Sequence, residues 1–209
     1  MNKDRKKHRI VIVVFAVVFG LAFTGLLTCA IWDNIVSEKS IVRLGDYSSL
    51  TYTATDRDTA GTQVTEQIVK RTRFGGLVKK EADKMYDSSM EHYREEAEYL
   101  GVSFSDYLKH IYGTDEKSFS KSVRESALTV AKEEAVLDAI ADLEGITLTE
   151  IRFERLIYKY MESAGYTDRE QFLKDNDEKE MRRMMRRELT VDWLLEHATG
   201  PALDEGDTE

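Results

Sequence analysis

Hydrophobic and polar positions follow two regimes along this chain. From Ile10 to Trp32 there is no charged side chain, whereas beyond that run apolar positions are interleaved with charged ones at helical spacing. The 23 residues 10–32, at about 1.5 Å rise each, cover roughly 34 Å, enough for the ~30 Å hydrocarbon core of a bilayer. This run predicts a transmembrane helix.

After it, Ile41–Leu44 and Leu50–Thr55 are rich in β-branched and aromatic residues and flank the turn-like Gly45-Asp46-Tyr47-Ser48-Ser49, which predicts an extended arm or a short strand pair. A short helix is expected from Thr62 to Arg73, broken by Gly75-Gly76. Leu77 to Leu100 predicts a long helix, because Val78, Ala82, Met85, Tyr86, Ser89, Met90, Tyr93, Ala97 and Leu100 recur at steps of three and four. Gly101 stops it, and Ser105 can cap a short helix that runs through Ile111 to Gly113. Ser118 to Leu143 carries a second stripe (Phe119, Val123, Ala127, Val130, Ala131, Leu137, Ile140, Ala141), closed by Gly145. Thr147-Leu148-Thr149-Glu150 has the spacing of a capping box for a helix reaching Ala164, and Thr167-Asp168-Arg169-Glu170 repeats it ahead of Phe172 and Leu173. A last helix, Asp177 to His197, carries Met181, Met184, Met185, Leu189, Leu194 and Leu195 and stops at Gly200-Pro201. No strand pattern follows Thr55.

The expected architecture is mainly α. A basic flank (1–9) precedes the span (10–32), an extended arm with a short helix (33–76) links it to an elongated multi-helix domain (77–200), and an acidic tail (201–209) is expected to be disordered. One proline in 209 residues, with many Glu, Lys, Arg, Met and Leu, suits long helices.

Charge sets the orientation. Met1–Arg9 carries Lys3, Arg5, Lys6, Lys7 and Arg9 against Asp4, so this flank should stay in the cytoplasm and the rest should be delivered across the membrane. The implied localisation is single-pass, with the C-terminal domain extracytoplasmic. A cleaved signal peptide would have a shorter apolar core and a small-x-small site. Leu26-Leu27-Thr28-Cys29 faintly resembles a lipoprotein cleavage box, with Thr28 a poor fit, and otherwise Cys29 is a small apolar residue facing lipid. As the chain's one cysteine it makes no intramolecular disulfide. The net charge is −9, and since the first nine residues contribute +4 the remainder totals −13. An acidic domain disfavours nucleic acid as a partner and disfavours close docking on anionic lipid.

Catalytic chemistry is missing. His8, His92, His110 and His197 are scattered without metal-ligand spacing, no glycine-rich phosphate loop follows a strand, and no Ser or Cys stands in a nucleophile motif. Glu178 with Arg182 and Lys121 with Glu125 are i,i+4 partners. Arg182, Arg183, Arg186 and Arg187, beside Glu178, Glu180 and Glu188, are expected to form a solvated helix face. These patterns argue against an enzyme and call for no cofactor and no metal. The soft residues are more suggestive: Met85, Tyr86, Met90, Tyr93, Tyr107, Tyr112, Tyr158, Met161, Met181, Met184 and Met185 all fall on predicted helices or their ends. Thioethers re-pack around varied shapes and Tyr offers apolar area with a polar edge, so these residues are candidates for holding unrelated apolar segments. Ordinary helix packing is the competing reading of each.

The order of these segments resembles the C-terminal, substrate-holding domain of trigger factor, a bacterial folding chaperone. Val42-Arg43-Leu44-Gly45-Asp46-Tyr47-Ser48-Ser49-Leu50 is similar to that family's strand, Val64–Val69 stands in place of its short helix, and Leu77–Met85 resembles the opening of its first arm helix. Tyr99–Leu108 is similar to its next turn, and Ala131–Gly145, Thr147–Glu150, Tyr166–Leu173 and Met181–Ala198 continue in family order. The family's prolyl isomerase domain is missing: its insertion point falls between Thr72 and Leu77, where only Arg73-Phe74-Gly75-Gly76 stands. The ribosome-docking domain is replaced by the apolar span. The resemblance implies a membrane-anchored holdase or foldase subunit, similar to the non-catalytic part of SurA-type chaperones, with unfolded or exported polypeptides as partners. The same amphipathic stripes would also suit a bitopic scaffold bound to a dedicated envelope or secretion partner, or to a second copy of the chain in a homodimer.

Overall fold

A computed structural model describes residues 40–204, which form seven helices and one two-stranded sheet. In chain order these are β1 (Ile41–Arg43), α1 (Arg57–Arg71), β2 (Arg73–Phe74), α2 (Gly76–Tyr99), α3 (Phe104–Ile111), α4 (Glu116–Leu143), α5 (Glu150–Ser163), α6 (Arg169–Asp175) and α7 (Glu178–His197). The mainly α class is as expected. The predicted span 10–32, its basic flank and residues 205–209 of the tail lie outside the described residues. Among the described residues no helix is long and apolar enough to cross a membrane.

Side-chain caps start six of the seven described helices: Asp56, Ser103, Asp115, Thr149, Asp168 and Asp177 each accept a hydrogen bond from a backbone N–H of the first turn. Three expected caps move, one of them from Thr167 to Asp168, whose side chain accepts from the Glu170 and Gln171 N–H groups. Ser103, not Ser105, starts α3, which brings Phe104 into the helix and onto an aromatic cluster. Thr149, not Thr147, starts α5, because the chain leaves α4 through Gly145 in the left-handed region (φ 67°) and stays non-helical until Thr149. Helix α1 begins five residues earlier than Thr62, where Asp56 Oδ1 accepts from the Thr59 N–H at 2.8 Å. Gly61 inside it is a packing glycine, since a Cβ there would lie 2.7 Å from Val191 Cγ1 of α7.

The expected pairing of Ile41–Leu44 with Leu50–Thr55 does not form. β1 instead pairs antiparallel with β2, Ile41 opposite Phe74 and Arg43 opposite Arg73, so a short strand does follow Thr55. Burial decides this. Leu50 is only 2 % exposed, inserted among Ala60, Val64, Ile68, Val136, Leu137, Ile140, Leu194 and Leu195, and a hairpin partner for β1 could not also occupy that site. Thr51 forms a parallel bridge with Thr199, closed by Tyr52 N–H to Thr199 O at 3.0 Å and Thr199 N–H to Leu50 O at 2.9 Å.

Two arms leave this body. In the first, Val78 and Ala82 early in α2 pack on Ala131 and Ala135 of α4, while Met90, Tyr93 and Ala97 late in α2 pack on Phe119 and Val123 early in α4. The two helices therefore run antiparallel, with α3 folded across their tip. In the second, α5 and α6 cover the first half of α7 through Phe153, Ile157, Met161, Phe172, Met181, Met184 and Met185.

The four arginines of α7 do not form one solvated face. Arg182 pairs with Glu178 at 2.8 Å, as expected, but Arg187 is only 4 % exposed. Its guanidinium donates to both Asp138 oxygens at 2.9 and 2.7 Å and lies 2.6 Å from Glu134, both on α4. Position 187 lies on the side of α7 that meets α4, so the i,i+4 pattern of charges could not show its burial. Burial opposes its charge, and the Glu134 and Asp138 carboxylates outweigh that, holding the Arg187 pKa above its ordinary value. Replacing Arg187 by Ala leaves two buried carboxylates without their cation, and is expected to cost about 3–5 kcal/mol in urea unfolding of residues 33–209.

Glu134 is pushed up to about 7 by burial, against the pull of Arg187 and with help from Glu180 and Asp138. Glu133 is likewise raised to about 7, by burial and by Glu66. Carboxylates with raised folded-state pKa values stabilise the fold most below their unfolded value, and that contribution is lost as pH rises through about 7. The capping Asp56 and Asp115, lowered by backbone hydrogen bonds from Thr59 and Ser118, act at the other end, losing their contribution below pH 3.8. The urea midpoint is therefore expected to fall between pH 5 and pH 8, and Glu133→Gln/Glu134→Gln to flatten that fall.

Candidate client-binding surface

Apolar side chains left exposed gather on the two arms. At the tip of the first arm, α2 ends at Tyr99 and the chain turns through Leu100 and Val102 into α3, which ends at Ile111 and Tyr112; all five are exposed. Tyr112 also belongs to an aromatic hub that packs beneath the tip. The Tyr93 and Tyr112 rings meet Phe119 at 4.9 and 5.0 Å between centroids, and the Tyr112 ring also meets Tyr107 at 5.8 Å. Tyr107 donates a short hydrogen bond to Glu96, and burial with that contact raises its pKa.

On the second arm, Phe153, Ile157, Tyr160, Met161 and Ala164 turn inward at helical spacing. Ile151 and Tyr158, seven residues apart and so on a common face of α5, are 78 % and 60 % exposed. Tyr160 on the inner side donates to Glu188 of α7 at 3.0 Å, fixing that arm to the body. Between the arms' roots, Leu143 projects into an open groove of about 640 Å³ lined also by Arg43, Leu44, Asp46, Tyr47 and Arg71. Tyr47 donates to Glu144 at 2.7 Å, and burial with that carboxylate pushes the phenol up to about 12.

The Met and Tyr residues singled out from the sequence divide three ways. Met90, Tyr93, Tyr107, Met161, Met181, Met184 and Met185 are buried inside the two arm cores. Met85 and Tyr86 are half-buried, the Tyr86 hydroxyl 2.7 Å from Ser120 Oγ and its ring under the Arg124 guanidinium at 3.8 Å. Tyr112 and Tyr158 face solvent. Sequence reasoning missed Tyr99, Val102, Ile111, Leu143 and Ile151. A signal existed: these residues stand at helix ends or off the buried stripe, where no partner helix can cover them.

A small cavity beside Arg187, lined by Ser40, Glu81, Glu134 and Asp138 among others, is about 20 Å³, room for a water molecule. Among the described residues no group of His, Cys, Asp and Glu could hold a metal ion.

The sequence model of the family described as bacterial trigger factor protein (TF) C-terminus matches residues 52–196, about seven-tenths of the chain. The chain belongs to this family. A trigger factor from Natranaerobius thermophilus is 34 % identical over 82 residues, which cover 39 % of this chain and 18 % of that relative. The match thus spans less than a fifth of the relative's length. The trigger factor region matched is the C-terminal, substrate-binding part and not the isomerase part. Where the isomerase insertion falls in the resemblance, the chain is continuous and short: Thr72 closes α1, β2 pairs with β1, and Gly75 starts α2.

Packing and surface roles separate by mutation. Met185→Ala opens a cavity in the second arm's core and is expected to cost about 2–5 kcal/mol in urea unfolding. Tyr158→Ser, on the open face of α5, should stay within about 0.5 kcal/mol.

Proposed function

We propose that this chain is a membrane-anchored, extracytoplasmic holdase. It shelters segments of unfolded or newly exported polypeptide on the apolar surfaces of its two arms, with no isomerase activity and no cofactor. The observation that carries the reading is the set of large apolar residues left uncovered at the arm tip and on α5, in a chain of the trigger factor C-terminal family. Residues 10–32 serve as the anchor, residues 33–76 as arm and linker, and residues 77–200 as the client-holding domain.

Each contact is weak and nondirectional, at most about 1.5–3 kcal/mol for an apolar side chain taken fully out of water. Several such contacts sum to a reversible hold that needs no ATP. Tyr99, Leu100, Ile111, Tyr112, Ile151 and Tyr158 make the contacts, flanked by Met85 and Tyr86, while the buried Met and Tyr residues keep both platforms rigid. The acidic exterior favours clients with positive stretches and keeps the loaded complex soluble.

Light scattering from a chemically unfolded model protein, diluted with and without residues 33–209, tests this. Suppression that saturates near one-to-one is expected, and Tyr99→Ser/Leu100→Ser/Ile111→Ser should lose most of it while keeping native helicity. A folded domain that suppresses nothing and binds no hydrophobic dye would instead favour a scaffold with a dedicated partner.

A further inference from the structure

The domain's acidic balance conceals a local reversal. Residues 70–80 hold Lys70, Arg71, Arg73, Lys79 and Lys80 with no acidic residue among them. Lys70 is neutralised by Glu66 at 2.8 Å, and Arg71 donates to the Asp46 carbonyl oxygen at 2.9 Å. Arg43, Arg73, Lys79 and Lys80 are all exposed, and among the described residues none of the four has a carboxylate within ion-pair distance.

Two features of this face are unfavourable in isolation. The β1–β2 pairing, which is bulged between Ile41 and Arg43, still brings Arg43 opposite Arg73, and like charges facing each other across strands destabilise a ribbon. Helix α2 has no side-chain cap at Gly75 and no acid in its first turn; Lys79 and Lys80 follow near the positive end of its dipole. Ile41 and Phe74 pack on the core, whereas Val42, between them and Arg43, is 61 % exposed. The ribbon is therefore amphipathic, with an outer face of one apolar side chain among cations. An extended layer of negative charge would relieve both placements.

Chain length says which layer is at hand. Residues 33–39 separate the end of the predicted span from Ser40, and so few residues reach at most roughly 25–30 Å even when fully extended. The Gly75 N–H donates to Ser40 O at 2.7 Å, which holds the start of α2 to the point where the tether enters. We propose that the Arg43–Arg73 ribbon, with Lys79 and Lys80 and with Val42 as its apolar contact, docks on the phosphate headgroups of an anionic bilayer. It orients the arms away from the surface that carries the tether. The choice of a bilayer as the occupant rests on reading residues 10–32 as a span; the cationic face itself does not.

The test uses the full chain with Cys29→Ala and Val42→Cys, carrying an environment-sensitive dye at position 42, reconstituted with phosphatidylcholine vesicles with or without phosphatidylglycerol. A blue shift that requires phosphatidylglycerol and is reversed by high salt is expected, with no shift for a dye at Ile151→Cys. Arg43→Glu/Arg73→Glu should abolish it. Lys79→Gln/Lys80→Gln, on exposed helix positions that leave the ribbon intact, should lower the docked-to-free ratio roughly fivefold per cation. Absence of a phosphatidylglycerol-dependent shift at position 42 overturns the proposal. So does an equal shift produced in neutral vesicles by soluble polyglutamate, which would make the occupant an acidic polypeptide. Flotation with neutral vesicles in high salt tests the span by itself: a chain that fails to float there yet shifts on anionic vesicles loses its anchor but keeps its docking face.

Discussion

Everything in this molecule hangs on the burial of one stretch of α4. From Ala135 to Ala141 seven consecutive residues are buried, so that here the helix is covered on every side rather than along one stripe. Helix α1 and Leu50 cover it through Val136, Leu137 and Ile140, α2 covers Ala131 and Ala135, and α7 closes the remaining side. Three of the seven are alanines, which lets the neighbouring helices approach closely. A larger side chain at Ala135 or Ala141 would push one of them away.

The buried cation of α7 belongs to the same arrangement. Arg187 meets Asp138, inside the buried run, and Glu134, one turn before it. A fully apolar seam between α4 and α7 would allow neighbouring registers of nearly equal energy. A bidentate guanidinium–carboxylate pair allows one. That register also places Glu188 where Tyr160 of α5 and Arg57 of α1 can reach it, at 3.0 and 3.9 Å, so the second arm's position follows from the same contact.

With the body fixed in this way, the arms can afford open surfaces. Each arm contains its own small core, aromatic in the first and methionine-rich in the second. Residues at the arm ends have no third element to cover them, which is why Ile111, Ile151 and Tyr158 stay in solvent. A body held all round and tips covered on one side only suit a holder of varied segments: the platform need not rearrange for the surface to accept different shapes.

Much of this was legible in the sequence by itself. Helical periodicity located α2, α4 and α7 to within about two residues, and Gly101, Gly113, Gly145 and Gly165, all in the left-handed region, mark the helix ends they were read to mark. The resemblance to the family rested on the likeness of segments from Val42 onward, and the family model matches from residue 52. Tertiary structure alone decided what competes for partners. Strand β1 took β2 because the core claimed Leu50, and Arg187 went inside because its side of α7 meets two carboxylates of α4. Of eleven Met and Tyr candidates only Tyr112 and Tyr158 face open solvent, since periodicity shows that a helix face is apolar but not whether another helix lies against it.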